Sequence, residues 1–376
     1  MRITNKMMIN NSKYWLSKQA EKLADAEIVS ASGKQINKPS DDPAAAAQIL
    51  EYRSEIAKYD QYQTNIDTAS TYIEAGETVL DSADSYLDQA LEIASDLASG
   101  SSDYTGTYLE SLQGIYDSII GLGNTMLSSS YMYGGTDTDS MPFSNEITLS
   151  SAGADTDIGV YLASAASITI TISDSSGNVV RTLTSSGVAE SNTITWDGQN
   201  NSGTDVAAGD YTFTISATDS SGNTVSSLSY QGDSGSKSFY ISDGNTIEIN
   251  CDGGEIFSKA LLAISDLISG IKGYNEGTVD DATLTACATA VTESLNDASA
   301  DITNERVALA NIYSQLDVST DRVDKLSELL QEKLSAVETG DTTEAAVELS
   351  AQETAYELTT EATAKILNLP KLSDYI

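Results

Sequence analysis

The longest regular pattern in the chain lies in residues 295–337, which read LNDASADITNERVALANIYSQLDVSTDRVDKLSELLQEKLSAV. An apolar side chain returns at every seventh position of this stretch, namely at Leu295, Ile302, Leu309, Leu316, Val323, Leu330 and Val337. A period of seven keeps one apolar stripe of an α-helix turned toward the same partner. We therefore predict one long helix with a seam of about 60 Å, because each residue adds about 1.5 Å.

A second seam of the same period lies near the other end of the chain. Its large residues are Tyr52, Tyr59, Ile66, Ile73, Leu80 and Leu87, and its small residues are Ala69, Gly76, Ala83 and Ala90. Large and small side chains in alternation let two helices approach closely. The SDDP turn at residues 40–43 is expected to start this helix, since acidic caps precede a proline that suits a first turn. Both seams fit the core of one helical bundle and a contact between subunits equally well.

Shorter apolar stripes predict further helices. One carries Leu109, Leu112, Ile115, Ile119, Leu122 and Met126, and another spans residues 256–271. The terminal segments 1–32 and 343–369 differ from these, because their stripes are thin and rich in alanine. In the C-terminal segment the stripe consists of Ala351, Ala355, Leu358, Ala362 and Ile366. Helices with so little apolar surface are expected to order only in contact with partners.

The middle of the chain alternates apolar and polar residues, as β-strands do. Residues 168–172 and 211–215 each lead into the same turn sequence, DSSGN, at residues 174–178 and 219–223. A period-2 strand that enters a Gly-Asn turn predicts a β-hairpin. With a further strand before Trp196, these hairpins predict a small β-sandwich over residues 155–228. A hairpin around DGN at 243–245 is placed in a surrounding β layer.

The composition excludes several classes of function. The chain has 376 residues with 56 acidic and 19 basic side chains, so its formal net charge is −37. A surface of this sign repels phosphate groups, which argues against nucleic acid and anionic membranes as partners. Residues 1–40 differ, because they hold seven basic and three acidic residues. This segment is a candidate partner for acidic helices of the same chain or of a neighbouring one.

The sequence offers little for catalysis or for a cofactor. It has no histidine, and Cys251 and Cys287, which we interpret as free thiols, do not stand at a metal-ligand spacing. The Asp- and Gly-rich turns could supply oxygen ligands for Ca²⁺, but the same residues are ordinary in hairpin turns. No hydrolase or nucleotide-binding motif is found. We predict no enzymatic activity, no cofactor, and no catalytic, cofactor-binding or metal-binding residues.

Targeting signals are also lacking in the sequence pattern. Polar residues interrupt every apolar stretch in residues 1–30, which argues against a signal peptide. No run approaches the roughly 20 apolar residues that a membrane-spanning helix needs. These two observations alone favour a cytosolic protein.

Several motifs carry a resemblance that changes this interpretation. They are MRITNKMM at residues 1–8, SGKQINKPSDDP at 32–43, YMYGGTDT at 131–138, YQGDSG at 230–235, DGNTIEIN at 243–250 and the stretch 349–369. In this order they resemble the bacterial flagellin superfamily, and especially the hook-associated proteins that join hook to filament (the hook-associated protein 3 group). The insert resembles the immunoglobulin-like domain of the flagellar hook-capping protein, through RTL at 181–183, NTITWDG at 192–198 and GDYTF at 209–213.

The resemblance implies a structural role outside the cell. Its expected partners are a hook-side junction protein (hook-associated protein 1), flagellin, identical subunits in a ring, an export chaperone and the flagellar type III export apparatus, with no cleaved signal peptide. The chain would adapt the hook to the filament and seed flagellin polymerisation. Two alternatives remain open at this point. The chain would be flagellin itself, or a flagellin-like surface protein with an adhesive immunoglobulin-like insert.

The predicted fold is α+β and multidomain, with a long antiparallel helical coiled coil or bundle from the two ends and a central β domain that contains the immunoglobulin-like sandwich. The predicted parts are residues 1–40 and 341–376 for assembly, 41–136 and 256–340 for the helical domain, 137–154 with 229–255 for the β domain, and 155–228 for the insert. The predicted assembly residues are Ser40, Asp41, Asp42, Pro43, Ile66, Ile73, Leu80, Leu87, Leu295, Ile302, Leu309, Leu316, Val323, Leu330, Val337, Leu358 and Ile366.

Overall fold

The computed structural model describes residues 5–100, 105–250 and 252–367. The helices are α1 (Asn5–Ser32), α2 (Pro43–Ala98), α3 (Thr105–Gly123), α4 (Gly253–Asn275), α5 (Asp281–Glu338) and α6 (Thr342–Leu367). The strands are β1 (Met126–Leu127), β2 (Ser130–Tyr131), β3 (Glu146–Leu149), β4 (Thr156–Leu162), β5 (Ala166–Ser173), β6 (Val179–Gly187), β7 (Glu190–Trp196), β8 (Gly209–Thr218), β9 (Thr224–Val225), β10 (Ser227–Ser229), β11 (Ser236–Ser242) and β12 (Asn245–Asn250). Cys251, the first motif residues 1–4 and the end of the last motif lie outside the described residues.

The chain divides into two compact units. The terminal unit consists of the residues up to 63 and those from 321 onward, and the central unit consists of residues 64–320. Long helices at both ends and a β region between them confirm the predicted α+β architecture. Within the described residues, no helix is both long and apolar enough to cross a membrane.

In the central unit, α2 and α5 pack in opposite directions along the two predicted seams. Gly76 lies against Leu309, while Asp84, two turns further along α2, accepts a hydrogen bond of 3.0 Å from Ser299, which precedes Leu309 on α5. A Cβ atom on Gly76 would stand 3.3 Å from Leu309 Cδ1, which explains why this position carries no side chain. The small residues of the seam therefore allow the close approach that their spacing predicts.

One arginine ties α5 to an acidic face of α2. The Arg306 guanidinium bonds to Glu77 at 2.7 Å, to Asp81 at 2.9 Å and to Asp84 at 3.4 Å. Glu77, Asp81 and Asp84 lie three to four positions apart on one face of α2, so their like charges repel one another without a cation between them. The hydrogen bonds that Arg306 donates to Glu77, followed by the charges of the nearby carboxylates, raise the pKa of Arg306 above its usual value.

Replacement of Arg306 by methionine is expected to lower the free energy of unfolding of the central unit by about 2 kcal/mol, because charged hydrogen bonds are lost and three carboxylates are left together. Urea unfolding followed by circular dichroism measures this change. Arg322→Met, an exposed position on the same helix, is the control and should change stability by about 0.5 kcal/mol or less. Equal effects of the two substitutions would contradict the bridging role.

Two more helices complete the helical part of the central unit, and one of them is shorter than predicted. α3 ends at Gly123, whereas the sequence stripe places Met126 in the same helix; Met126 instead lies in β1 and is exposed. The helix stops because Asn124 turns its side chain to the backbone of Phe143, donating to its oxygen at 3.0 Å and accepting from its nitrogen at 2.8 Å. Asp252 caps the start of α4, because its carboxylate accepts from Glu255 N at 3.1 Å.

The β-sandwich consists of two antiparallel sheets. One has the strand order β3-β8-β5-β6, with β9 also paired to β8, and the other has the order β10-β4-β7. Trp196 and Phe213 are among the largest buried side chains of its core. The predicted boundary at residue 155 falls after β3, yet β3 pairs with β8 and buries Ile147 and Leu149 in this core. A strand of four residues is too short to show a clear period-2 signal, so the sequence pattern placed it outside the sandwich.

The two DSSGN turns close hairpins, as their sequence predicts. Asp174 accepts backbone hydrogen bonds from Ser176 and Asn178, both at 2.9 Å, and Asp219 occupies the same role in the second turn. Hydrogen bonds from the Asn178 side chain and backbone hold the pKa of Asp174 below its usual value. These carboxylates already accept hydrogen bonds from the backbone of their own turns, which favours the turn interpretation over calcium binding. Among the described residues, no three His, Cys, Asp or Glu side chains converge as metal ligands would.

An aromatic cluster joins the sandwich to the helices of the central unit. Its members are Tyr133, Phe143, Tyr161, Tyr230 and Phe257, whose neighbouring rings have centroids 5.0 to 6.2 Å apart. The Tyr230 hydroxyl donates to Tyr133 O at 2.9 Å, and burial, followed by the charge of Asp252, raises its pKa. Ring contacts of this kind add to the energy of burial, so this cluster fixes the sandwich against the helices of the central unit.

Candidate assembly interface

The terminal unit contains a pair of antiparallel helices, α1 and α6. Gln19 near the middle of α1 bonds to Gln352 of α6. Val29, near the end of α1, shares a groove with Ala345, near the start of α6, whereas Trp15 shares one with Ile366. Among the described side chains of these two helices, only Thr363 is buried. The thin alanine-rich stripes therefore produce a pair with little core of its own.

Both helices of the pair present large apolar side chains to solvent. Of the seventeen large apolar side chains that are exposed in the described residues, seven lie on α1 or α6, namely Met7, Tyr14, Trp15, Ile28, Val347, Leu358 and Leu367. Trp15 is 63% exposed and Leu358 is 61% exposed. A group of exposed apolar residues is typical of surfaces that bind a protein, a membrane or a ligand. We call these seven residues the terminal apolar surface.

Trp15 and Leu358 also line a groove along the pair. This groove has a volume of about 320 Å³, and Ala362 and Ile366 line it together with polar residues. A second groove of about 320 Å³ lies near the start of α6. A helix that packs against another fits its side chains into depressions between the partner's side chains. The pair thus offers both protruding side chains and depressions to a neighbouring helix.

The structure assigns the predicted SDDP turn a local capping role. Asp42 accepts from the backbone of Ala44 and Ala45 at 2.9 and 3.1 Å, which caps the start of α2 beside Pro43. Asp41 accepts from the backbone of Asn37 and Lys38, and these two bonds, led by that from Lys38, lower the pKa of Asp41. Ser40 lies exposed in the same turn.

The predicted seam residues lie inside the chain. Ile66, Ile73, Leu80, Leu87, Leu295, Ile302, Leu309 and Leu316 are buried in the central unit. In the terminal unit, Val323 is buried, while Leu330 and Val337 are half-buried. Side chains that are covered within the subunit are not available to a neighbour, which favours the bundle-core interpretation of the seams. Of the two predicted residues on α6, Leu358 is exposed and Ile366 is half-buried.

The sequence pattern also contained a signal that the prediction did not use. Met7, Tyr14 and Ile28 stand at multiples of seven along α1, with Glu21 at the intervening position, and all three apolar side chains are exposed. The N-terminal segment therefore carries a heptad stripe of its own, in addition to the two seams of α2 and α5. Trp15 adjoins it and is one of only two tryptophans in the chain.

Charge divides the two units sharply. Residues 64–320 contain 36 acidic and 5 basic residues, a net charge of −31, whereas the rest of the chain contains 20 acidic and 14 basic residues, a net charge of −6. Like charges at this density repel one another in the folded state. The terminal unit, which carries the terminal apolar surface, is much closer to neutral and can therefore pack against copies of itself at a lower electrostatic cost.

The stability of the central unit is accordingly expected to rise with salt. Raising NaCl from about 0.1 M to about 1 M shortens the Debye length from about 10 Å to about 3 Å, which should add on the order of 1–2 kcal/mol to the free energy of unfolding. Thermal unfolding of the purified chain at both concentrations measures this gain. An unchanged or lower unfolding midpoint in high salt would show that self-repulsion is unimportant.

Three family models match the chain. Residues 3–128 match the bacterial flagellin N-terminal helical region, and residues 292–373 match the bacterial flagellin C-terminal helical region. Residues 144–221, between them, match the FlgD Ig-like domain. Among curated proteins, none matches this sequence.

Solved structures were compared as well. A protein from Vibrio parahaemolyticus described as a flagellar hook-associated protein is 16% identical, with a TM-score of 0.50 over 80% of this chain and 100% of that one. Flagellar hook-associated protein 3 from Legionella pneumophila is 11% identical, with a TM-score of 0.43 over 77% and 98%. FlgD from Xanthomonas campestris is 25% identical, with a TM-score of 0.23 over 29% and 78%. The first of these likenesses shows a shared fold.

The order of the family matches agrees with the order of the structural parts. The N-terminal flagellin region covers α1, α2 and α3, the C-terminal region covers most of α5 and all of α6, and the FlgD-type match covers the sandwich from β3 to β8. The two flagellin regions together account for more than half of the chain. The chain belongs to the bacterial flagellin family and carries an immunoglobulin-like domain of the FlgD type between its two flagellin helical regions.

Proposed function

We propose that this chain is a structural component of the bacterial flagellum that joins the hook to the filament. One observation carries the assembly role, namely that α1 and α6 pair with almost no core of their own yet expose seven large apolar side chains; the sequence motifs given below favour the junction over the filament. Such a pair becomes stable when neighbouring subunits cover its surface. Neighbouring terminal helices of identical subunits, of flagellin and of a hook-side junction protein supply that cover.

The work of this protein is mechanical, and the proposal assigns it no catalytic residue. The buried seams of α2 and α5 give the central unit a packed helical core, while the terminal apolar surface lets the subunit join a lattice. In a ring of identical subunits, the terminal helices would contact the hook-side junction protein on one side and flagellin on the other. The ring would thereby match the hook lattice to the filament lattice and seed flagellin polymerisation. Export unfolded through the flagellar type III apparatus, with a chaperone and without a cleaved signal peptide, belongs to the same proposal.

The sequence motifs support the junction over the filament within this family. MRIT at residues 1–4, YGGT at 133–136 and YQGD at 230–233 resemble the junction group, whereas the terminal apolar surface fits both positions. A filament subunit is therefore the second candidate.

Deletion of the gene separates the two candidates. The junction proposal predicts hooks without filaments in electron micrographs, together with flagellin released into the medium as monomers. Hooks without filaments and without released flagellin would identify the chain as the filament subunit. Intact filaments would overturn both.

The immunoglobulin-like insert is proposed to be dispensable for assembly. Its strands enter and leave at Phe143 and Tyr230, which lie side by side in the aromatic cluster with ring centroids 5.2 Å apart, so a short linker between residues 145 and 230 can replace it. Cells that produce the shortened chain should keep their filaments. Normal filaments with a loss of surface attachment would assign the insert an adhesive role, and lost filaments would show that the insert is part of the lattice.

A further inference from the structure

The strand β6 forms the longest free edge of the sandwich. It has nine residues and ends the sheet β3-β8-β5-β6, whereas the strands at the other sheet ends, β3, β7 and β10, have four, seven and three residues. The outer edge of an end strand carries backbone N–H and C=O groups with which a strand of another chain can pair. A second copy of this chain carries the same edge, so two copies can join there unless the edge is covered.

The sequence of β6 gives this edge little protection of its own. Residues 179–187 read VVRTLTSSG, with four β-branched residues, no proline and one charge, Arg181. Charges, prolines and bulges are the usual devices that stop edge pairing. The register shift of β6 against β5 falls between Val179 and Arg181, so the ladder from Arg181 onward is regular. Uncharged segments rich in β-branched residues pair readily with one another.

A loop of the same sandwich, residues 199–205, covers the first half of this edge. The N–H of Asn201 donates to Val180 O at 3.0 Å, and the side-chain oxygen of Asn201 accepts from Thr182 N at 3.0 Å. Paired strands exchange one N–H donor and one carbonyl acceptor in this way. Asn201 therefore supplies to β6 the two groups that a strand of another chain would supply.

The loop is anchored at its first residues. The Arg181 guanidinium donates to Asn200 O at 3.0 Å, and Trp196 Nε1 donates to Gln199 O at 2.9 Å. An antiparallel bridge between Gln199 and Asp205 closes the base of the loop. The charge of β6 and one of the largest buried side chains of the sandwich core thus both hold the loop at the edge.

We propose that the loop of residues 199–205 is an edge guard, which covers β6 and keeps the sandwiches of two copies from joining edge to edge. The negative charge of the central unit also opposes contact between copies, but salt screens that repulsion, whereas the edge guard blocks pairing at any salt concentration. The inference concerns the folded sandwich of the central unit. It requires neither ordered terminal helices nor the junction role.

Sedimentation velocity of the purified full-length chain with Asn201→Pro tests the edge guard. Proline has neither the N–H nor the amide oxygen, so both bonds of Asn201 to β6 are lost. In about 1 M NaCl, where the Debye length is about 3 Å, the variant should self-associate at least about tenfold more tightly than the unaltered chain, because a partner strand no longer has to displace two hydrogen bonds. The matched control is Ser202→Ala, an exposed position of the same loop, which keeps both bonds and should sediment like the unaltered chain. Equal association of Asn201→Pro and the unaltered chain would overturn the inference.

A second change on β6 shows whether this association uses the covered strand. The N–H of Thr184 points to the same edge as that of Thr182, because alternate residues of a strand share an edge. Thr184→Pro therefore removes a donor that the ladder with β5 does not use, and proline is tolerated at such edge positions. The double variant Asn201→Pro with Thr184→Pro should sediment like the unaltered chain. Association that persists in the double variant would show that another surface is responsible and would refute the edge guard.

Asn201→Ala remains informative if Asn201→Pro unfolds the sandwich, which the fluorescence of Trp196 reports in a Trp15→Phe background. Alanine keeps the backbone N–H and removes only the acceptor for Thr182 N. In dilute solution, the Thr182 amide should exchange hydrogen about tenfold faster than in the unaltered chain. At high protein concentration and high salt its exchange should slow again, because a second copy replaces the edge guard. Exchange of Thr182 that is unchanged by the substitution, or that does not depend on concentration, would contradict the inference.

Discussion

Replacement of Leu358 by aspartate is expected to abolish incorporation of the chain into flagella while the subunit itself stays folded. Leu358 is 61% exposed on α6 and lines the groove that Trp15 shares, so the substitution costs the isolated subunit little. In an assembled lattice the same position would be covered, and an unpaired carboxylate buried there costs several kcal/mol per subunit. Complementation of the deletion strain, scored as filaments per cell, measures the effect.

The matched control for Leu358→Asp is Val188→Asp. Val188 is 64% exposed but lies in the insert, outside the terminal apolar surface. The Val188→Asp variant should support the normal number of filaments per cell. Normal filaments with Leu358→Asp would remove α6 from the proposed contact, and loss of filaments with both variants would point to a general effect of added negative charge.

Replacement of Phe213 by alanine is expected to unfold the sandwich selectively. Phe213 is 2% exposed in the sandwich core, and loss of such a side chain costs about 4 kcal/mol through lost burial and the cavity left behind. For a domain of this size, this lowers the unfolding midpoint by about 20 °C. The only tryptophans are Trp15 and Trp196, so in a Trp15→Phe background the fluorescence of Trp196, in the sandwich core, reports this transition alone.

The control for Phe213→Ala is Thr214→Ala on the opposite face of β8, where Thr214 is exposed. It should shift the Trp196 transition by no more than a few degrees, as surface changes usually do. Helical circular dichroism should persist in Phe213→Ala above the temperature at which the Trp196 signal is lost. Simultaneous loss of both signals would show that the sandwich and the helices unfold as one cooperative unit.

The helical part of the fold could be predicted because its signal is long and regular. From Leu295 to Val337, an apolar residue recurs at every seventh position without a break. The small residues that follow Ile66 in the other seam indicate that the partner helix approaches closely. The two DSSGN turns likewise fix hairpins, because Asp174 and Asp219 bond to the backbone of their own turns. These are local or periodic signals that tertiary contacts reinforce.

Other features depend on contacts between distant residues and left no local signal. β3 is recognisable only through its pairing with β8, and α3 stops before Met126 because Asn124 bonds to the backbone of Phe143. The ion pairs of Glu338 with Lys34 and Arg53 join residues some 300 positions apart in the sequence. On helix α6, the apolar stripe could be located, but which of its sides faces α1 could not, since alanine-rich faces differ little in hydrophobicity.

The central claim, that this chain forms the joint between hook and filament, is tested most directly by immunogold labelling of intact flagella. Antibodies raised against the sandwich, residues 146–229, recognise the part of the chain with no counterpart in the flagellin helical regions. A single band of gold at the boundary between hook and filament is the predicted result. Gold along the whole filament would identify a filament subunit instead, and gold only away from flagella would contradict a flagellar role for the chain.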